Sequence, residues 1–190
     1  MKINLIIIGT IILVAFLYGG YDMYMPADMM INKVEPKDTK IDKTNWKDVP
    51  DFTFTTIEGK KLSMHDFKGK VVIVNFWATW CPTCITAFPK DVEAVKKYNG
   101  DVIFIGVSSD DNVAEINKFV NKQNPEIKET LKASYVHIFL DENREITKNI
   151  FHTERYPETI ILSKDMKMAK KLVGDIDWNS PQLLKFIGSL

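Results

Sequence analysis

Residues Val71–Cys84 read VVIVNFWATWCPTC. Four β-branched apolar residues in a row, followed after Asn75 by Phe76 and Trp77, make the continuous apolar run expected of a strand buried on both faces. Ala78-Thr79 interrupts the run, and Trp80-Cys81-Pro82-Thr83-Cys84 opens a helix. Pro82 suits a first turn, where the amide that proline lacks has no intrahelical partner. Both cysteines of the 190-residue chain lie here, separated by two residues. Cys81 falls where free amides and the positive end of a helix stabilise a thiolate. Cys84, one turn further in and more buried, suits the thiol that attacks a mixed disulfide on Cys81 and releases its partner.

Other uses of such a pair fit the sequence less well. A purely structural Cys81–Cys84 bridge closes a very small loop, and chain-entropy stabilisation grows with loop length. Zinc takes about four ligands, whereas His65, His137 and His152 are scattered and there is no second cysteine pair. Covalent haem attachment needs a histidine directly after the second cysteine, and that residue is Ile85. Copper delivery by the two thiols with a distant His or Met stays open as an alternative, as does a client-binding module without redox turnover. The favoured reading is dithiol exchange with no metal and no cofactor.

The 25 basic residues balance 25 acidic ones, so charge points to neither nucleic acid nor an acidic substrate. Ile3–Tyr21 contains no charged residue. Its ~19 residues match a bilayer-spanning helix and exceed a signal-peptide core of ~7–15. With Lys2 before the span and Asp22 after it, the expectation is an uncleaved signal anchor over residues 1–21, with a cleaved signal peptide as the alternative, and the remainder outside the cytoplasm. A linker over 22–47, carrying Pro26, Pro36 and mixed charges, leads to one globular domain over 48–190.

Within that domain Phe52 and Phe54 alternate with threonines as in a half-buried strand, and Glu58-Gly59 makes a turn. Ser63–Asp66 reads as a capped helical turn. The CxxC helix is expected to run to Tyr98, before Asn99-Gly100. Val102–Val107 is a second buried strand, Asn112–Gln123 a helix, and a short helix follows Pro125. Val136–Leu140 reads as a strand and Arg144–Phe151 as a short helix. Thr159–Leu162 and Met168–Val173 form a hairpin, and Ser180-Pro181 starts the closing helix. The alternation predicts an α/β sandwich with a mixed sheet.

From Val71 onward the chain resembles the thioredoxin superfamily, in its membrane-anchored TlpA/ResA and DsbE/CcmG branch. Asn75–Cys84 carries that resemblance with Pro89, five residues past Cys84, and Tyr156-Pro157-Glu158-Thr159. The resemblance covers roughly Val49–Leu190. It implies a thioredoxin-like three-layer sandwich around a mixed central sheet, beside the N-terminal transmembrane helix. It also implies Pro157 in cis, exposing the Tyr156 backbone beside Cys81 to pair with an extended substrate. Trp80, Pro82, Thr83 and Tyr156 would line that substrate surface. Two departures stand out: Asn75 occupies the place of a buried aspartate that assists proton transfer from the second cysteine, and His152 and Arg155 stand where relatives often carry glycine. Another carboxylate, with Glu93 as the candidate, or water would substitute for the missing one. Thr83, not a histidine, lies between the cysteines, so the Cys81 thiolate lacks the charge that strongly oxidising relatives place there. The implied activity is a membrane-tethered, extracytoplasmic protein-disulfide reductase with apocytochrome c among its clients. Electrons would come from a membrane donor of the DsbD/CcdA type.

Overall fold

A computed structural model describes residues 43–190, and within them Val71–Trp77 is a strand with all seven residues buried. The expected membrane anchor and the linker as far as residue 42 lie outside the described residues. Among the described residues no helix is long and apolar enough to cross a membrane.

The strands are β1 (Lys47–Asp48), β2 (Thr53–Thr55), β3 (Lys61–Ser63), β4 (Val71–Trp77), β5 (Val102–Ser108), β6 (Val136–Leu140), β7 (Glu158–Leu162) and β8 (Lys167–Val173). The α-helices are α1 (Pro82–Lys96), α2 (Val113–Asn121), α3 (Pro125–Leu131) and α4 (Pro181–Gly188). The main sheet runs β1-β8-β7-β4-β5-β6, with β4, β5 and β6 parallel, β7 antiparallel to β4, and β8 antiparallel to β7. The sheet is therefore mixed, and β4 and β5 are its buried centre.

Strand alternation divides β4 between two cores. Val71, Ile73 and Trp77 face a cluster that includes Phe88 and Val92 of α1, Ile116 and Phe119 of α2, Leu131 of α3 and Leu183 of α4. Val72, Val74 and Phe76 face the other side, where the β2–β3 hairpin, the Met64–Phe67 turn and Phe151 cover the sheet. All four α-helices thus lie on one face. The opposite layer is built from a hairpin and short turns.

Local sequence accounts for the element ends. Ser63 and Asp66 form a reciprocal capping box at the Met64–Phe67 turn. Asn112, Asn124 and Ser180 cap α2, α3 and α4 by accepting amide hydrogens. The CxxC helix stops two residues before the expected Tyr98, and Asn99 and Gly100 both take positive φ beyond it. The expected Arg144–Phe151 helix is a single π-type turn, Ile146–Ile150. Asp141, not a residue of the turn itself, binds the Ile146 and Thr147 amides. Gly106, opposite Asn75 on β5, lets α1 approach: a Cβ there would lie 3.0 Å from the Phe88 ring and 3.3 Å from Trp77 Nε1.

Candidate active site

The turn between β4 and α1 is fastened from the end of β5. Asp110 is buried and accepts the Thr79 amide at 3.0 and 3.1 Å on its two oxygens. It also accepts the Thr79 and Ser108 hydroxyls, each at 2.6 Å. Thr79 precedes Trp80 and Cys81, so this clamp sets where α1 begins. Cys81 is the N-cap, in extended conformation, and its Sγ accepts the Cys84 amide at 3.2 Å. Pro82 fills the first helical position, as the missing amide allows. Cys81 and Cys84 form a disulfide with Cα atoms 5.2 Å apart. Cys81 is 5% exposed and Cys84 fully buried, so an incoming thiol meets Cys81 first. Thr83 Oγ1, an uncharged neighbour, lies 3.4 Å from Cys81 Sγ.

The opposite wall comes from the segment before β7, where the Tyr156–Pro157 peptide bond is cis. The Tyr156 and Ser109 hydroxyls share a hydrogen bond at 2.8 Å. Trp80, half exposed, meets the Tyr156 ring edge-on at 5.6 Å. Arg144 stacks its guanidinium over Trp80 at 5.8 Å and donates to the Ser109 carbonyl at 3.4 Å. Trp80 and Tyr156, 76 positions apart, therefore share one rim, and Pro82 and Thr83 lie exposed at the helix start beside it. Ser109 and Arg144 belong to that rim too, and neither carries a motif that would have marked it in the sequence. The loop leading to Pro157 is held by buried Glu158, which accepts the Thr153 hydroxyl at 2.7 Å and pairs with Lys171 at 2.9 Å. Lys171 also donates to the Phe151 and His152 carbonyls, and His152 itself takes positive φ.

A second polar group lies under α1. Asn75, on β4 between Ile73 and Trp77, is buried and donates to Asp91 Oδ2 at 3.0 Å and to Thr159 Oγ1 at 2.9 Å. Its own Oδ1 is buried without a hydrogen-bond partner. Asp91 Oδ1 accepts the Trp178 indole N–H at 2.7 Å. Burial pushes the Asp91 carboxyl up to about 7; the Trp178 bond and Lys90 oppose the rise, and the charge of Asp175 adds to it. Glu93, the sequence-based substitute for the missing carboxylate, is exposed on α1. The buried acid is Asp91 instead, two residues earlier and on the inward face with Cys84, Phe88 and Val92. Helical spacing from Cys84 is the signal that would have found it. The three histidines do not converge on the cysteines: His65 pairs with Asp51, His137 packs on Phe67, and His152 is exposed.

The Redoxin family model matches residues 45–186. The thiol–disulfide oxidoreductase ResA of Bacillus thuringiensis subsp. konkukian is 32% identical over 130 residues, 68% of this chain and 69% of that protein. The thiol:disulfide interchange protein DsbE of Pseudomonas aeruginosa is 28% identical over 134 residues, 69% and 67% of the two chains. A solved thioredoxin domain of a thiol–disulfide oxidoreductase from Bacteroides vulgatus aligns with a TM-score of 0.60 at 23% identity. That alignment covers 74% of this chain and 96% of the domain, and it shows the thioredoxin-like fold.

Proposed function

The chain belongs to the Redoxin family and is a ResA/DsbE-like thiol–disulfide oxidoreductase, and on that premise we propose that it is a membrane-tethered reductase of protein disulfides outside the cytoplasm. Cys81, as thiolate, attacks a client disulfide and forms a mixed disulfide with one client sulfur. Cys84 then attacks Cys81 Sγ, expels the second client thiolate and leaves the Cys81–Cys84 disulfide. Two electrons pass from the enzyme dithiol to the client, and a membrane donor of the DsbD/CcdA type returns them. The client backbone runs along Tyr156–Pro157, between Trp80 and the exposed Pro82-Thr83 start of α1.

One observation carries the direction of transfer. Cys81 Sγ receives the Cys84 amide at the N-cap, while Thr83 supplies only an uncharged hydroxyl at 3.4 Å. A thiolate with amide help and no adjacent cation is moderately stabilised, and the less the dithiol form is stabilised, the better it reduces others. The uncharged Ile3–Tyr21 stretch supports the tether, and apocytochrome c enters as a client class through the resemblance of Asn75–Cys84 to the DsbE/CcmG branch. The deciding measurement is redox equilibration of the chain with glutathione. A potential near the thioredoxin value of about −270 mV is expected, and one near about −120 mV refutes the reductant reading. Trapping on Cys84→Ser in cells captures clients as mixed disulfides, and protease accessibility of intact cells tests the side of the membrane.

A further inference from the structure

Of the chain's 25 basic residues only two are arginines, and both stand at the rim around the dithiol. Arg155 is exposed and directly precedes the cis Tyr156–Pro157 bond. Arg144, half-buried, comes from the turn after β6 and stacks on Trp80. Its amide donates to the Asp141 carbonyl at 2.9 Å, and its φ of 57° lies in the left-handed region. That conformation costs a residue with a Cβ about 1–2 kcal/mol. The turn alone would favour glycine here, so the reason for arginine lies in its side chain.

The guanidinium is held in place but not satisfied. Apart from the Trp80 ring at 5.8 Å, it makes one long hydrogen bond, to the Ser109 carbonyl at 3.4 Å. A guanidinium carries five N–H donors in a fixed fork. Two buried carboxylates lie nearby along the chain, and neither takes it. Asp141, three residues earlier, accepts from Ile146 and Thr147. Asp110, next to Ser109, accepts from Thr79 and Ser108. Among the described residues every ion pair is made by a lysine or by His65, and none by Arg144. Lysine would supply charge alone. Arginine adds a planar fork that meets a carboxylate with two parallel bonds while one face lies on an aromatic ring.

We propose that Arg144 is a specificity residue for the client: it binds a carboxylate, from Asp or Glu, within about three residues of the client cysteine that Cys81 attacks. Trp80 separates Tyr156 from the guanidinium, at 5.6 Å on one side and 5.8 Å on the other. Three residues of extended client paired along Tyr156 reach ~10 Å, enough to cross that ring. Stacking on Trp80 fixes the fork before the carboxylate arrives, so less side-chain freedom is lost on binding. Arg155 adds a second cation to the rim, and the surface favours an acidic client segment over a basic one. The inference rests on the reading that the dithiol exchanges with protein disulfides, but not on the side of the membrane or the electron donor.

The test compares two acetylated, amidated peptides closed by an internal disulfide, which differ only in Glu or Gln beside one cysteine. Rates with dithiothreitol correct for the peptides' own difference in reactivity. The reduced full chain should then show kcat/KM about fivefold higher for the Glu peptide, the scale of one bidentate pair on a half-buried arginine. In Arg144→Gln the corrected ratio should fall to about one. An unchanged ratio in that variant, or a wild-type ratio of about one, overturns the proposal. A role limited to holding Trp80 would slow both peptides alike and leave the ratio where it was. Should Arg144→Gln not fold, nitrogen-15 NMR gives a second reading, because two arginines give two Nε–H signals and Arg155→Gln assigns them. Each peptide is joined to Cys81 of the Cys84→Ser chain through an activated disulfide. The Arg144 signal should move downfield with the Glu peptide and stay in place with the Gln peptide; equal positions overturn the proposal. This reading needs no turnover. It decides the proposal even where neither peptide is reduced, a result that counts against the reductase reading alone.

Discussion

Asp91→Asn should change the slope of stability against pH before it changes anything else. The carboxyl titrates at 3.8 in an unconstrained chain and at about 7 when folded, because burial penalises its charge. Below about pH 4 both states are protonated and the group is neutral to stability. Between about pH 4 and 7 the folded state holds the proton more tightly than the unfolded one, so stability falls as pH rises. Above pH 7 both states are ionised and the full cost is present. Roughly three pH units at about 1.4 kcal/mol per unit give about 4 kcal/mol. Asparagine carries no such cost, and it can still accept from Trp178 while Asn75 turns its free Oδ1 to meet the new amide. Urea unfolding of the oxidised chains at intervals from pH 4 to 8 is the assay. The advantage of Asp91→Asn over wild type should grow by about 4 kcal/mol across that range. Carboxyls such as Asp51 and Glu126, held low by hydrogen bonding, titrate alike in both proteins and cancel in the difference. Parallel curves would show that Asp91 is ionised throughout, and would refute the reasoning.

Gly106→Ala puts a methyl into the Phe88 ring and the Trp77 indole, both fully buried, and should destabilise by about 1–3 kcal/mol in thermal or urea melts. Lys171→Met leaves buried Glu158 without its cation and frees the Phe151 and His152 carbonyls. With Lys171 partly exposed, a loss of about 1–3 kcal/mol is expected, together with weaker client binding as the loop before Pro157 loosens. Trp80→Ala removes a half-exposed ring that holds Tyr156 and Arg144 in place. Its stability should stay within about 0.5 kcal/mol of wild type while kcat/KM for protein-disulfide reduction drops about tenfold.

The central strands and the dithiol helix were legible because their signals are local. A run of β-branched residues can only be buried, and Cys-Pro at a helix start has its own geometry. The layer opposite the helices was harder to read, because a two-strand hairpin and one-turn helices carry few residues of pattern each. Arg144–Phe151 looked helical by spacing, yet Asp141 captures the Ile146 and Thr147 amides and only one wide turn forms. β1 carries no sequence signal because its two residues are exposed and are a strand only through pairing with Met168 and Lys167. At the site, Cys81 and Cys84 stand out by residue type, and Pro157 through the resemblance of its segment to that of the family. Ser109, Arg144 and Asp91 do not, because each owes its place to a partner distant in sequence. Glu93 lies on the outward face of α1, whereas 84, 88 and 91 point inward.

Two buried carboxylates flank the dithiol, and their surroundings assign them different work. Asp110 accepts two hydroxyls and a backbone amide from Ser108 and Thr79, all within one short stretch of β5 and the turn it holds. Each of those bonds would be lost if it moved, so its role is to fix the start of α1 and the orientation of Cys81. Asp91 has one bond from an amide whose oxygen is idle and one from an indole at the edge of a surface cleft. Its bonds survive a change of protonation with a turn of the Asn75 amide. A carboxylate with several strong donors is a clamp, and one with two neutral donors keeps much of the cost of burying its charge. Beneath α1 the core therefore holds a buried carboxyl, Asp91, carried by the helix and bonded to the uncharged Asn75 of the strand.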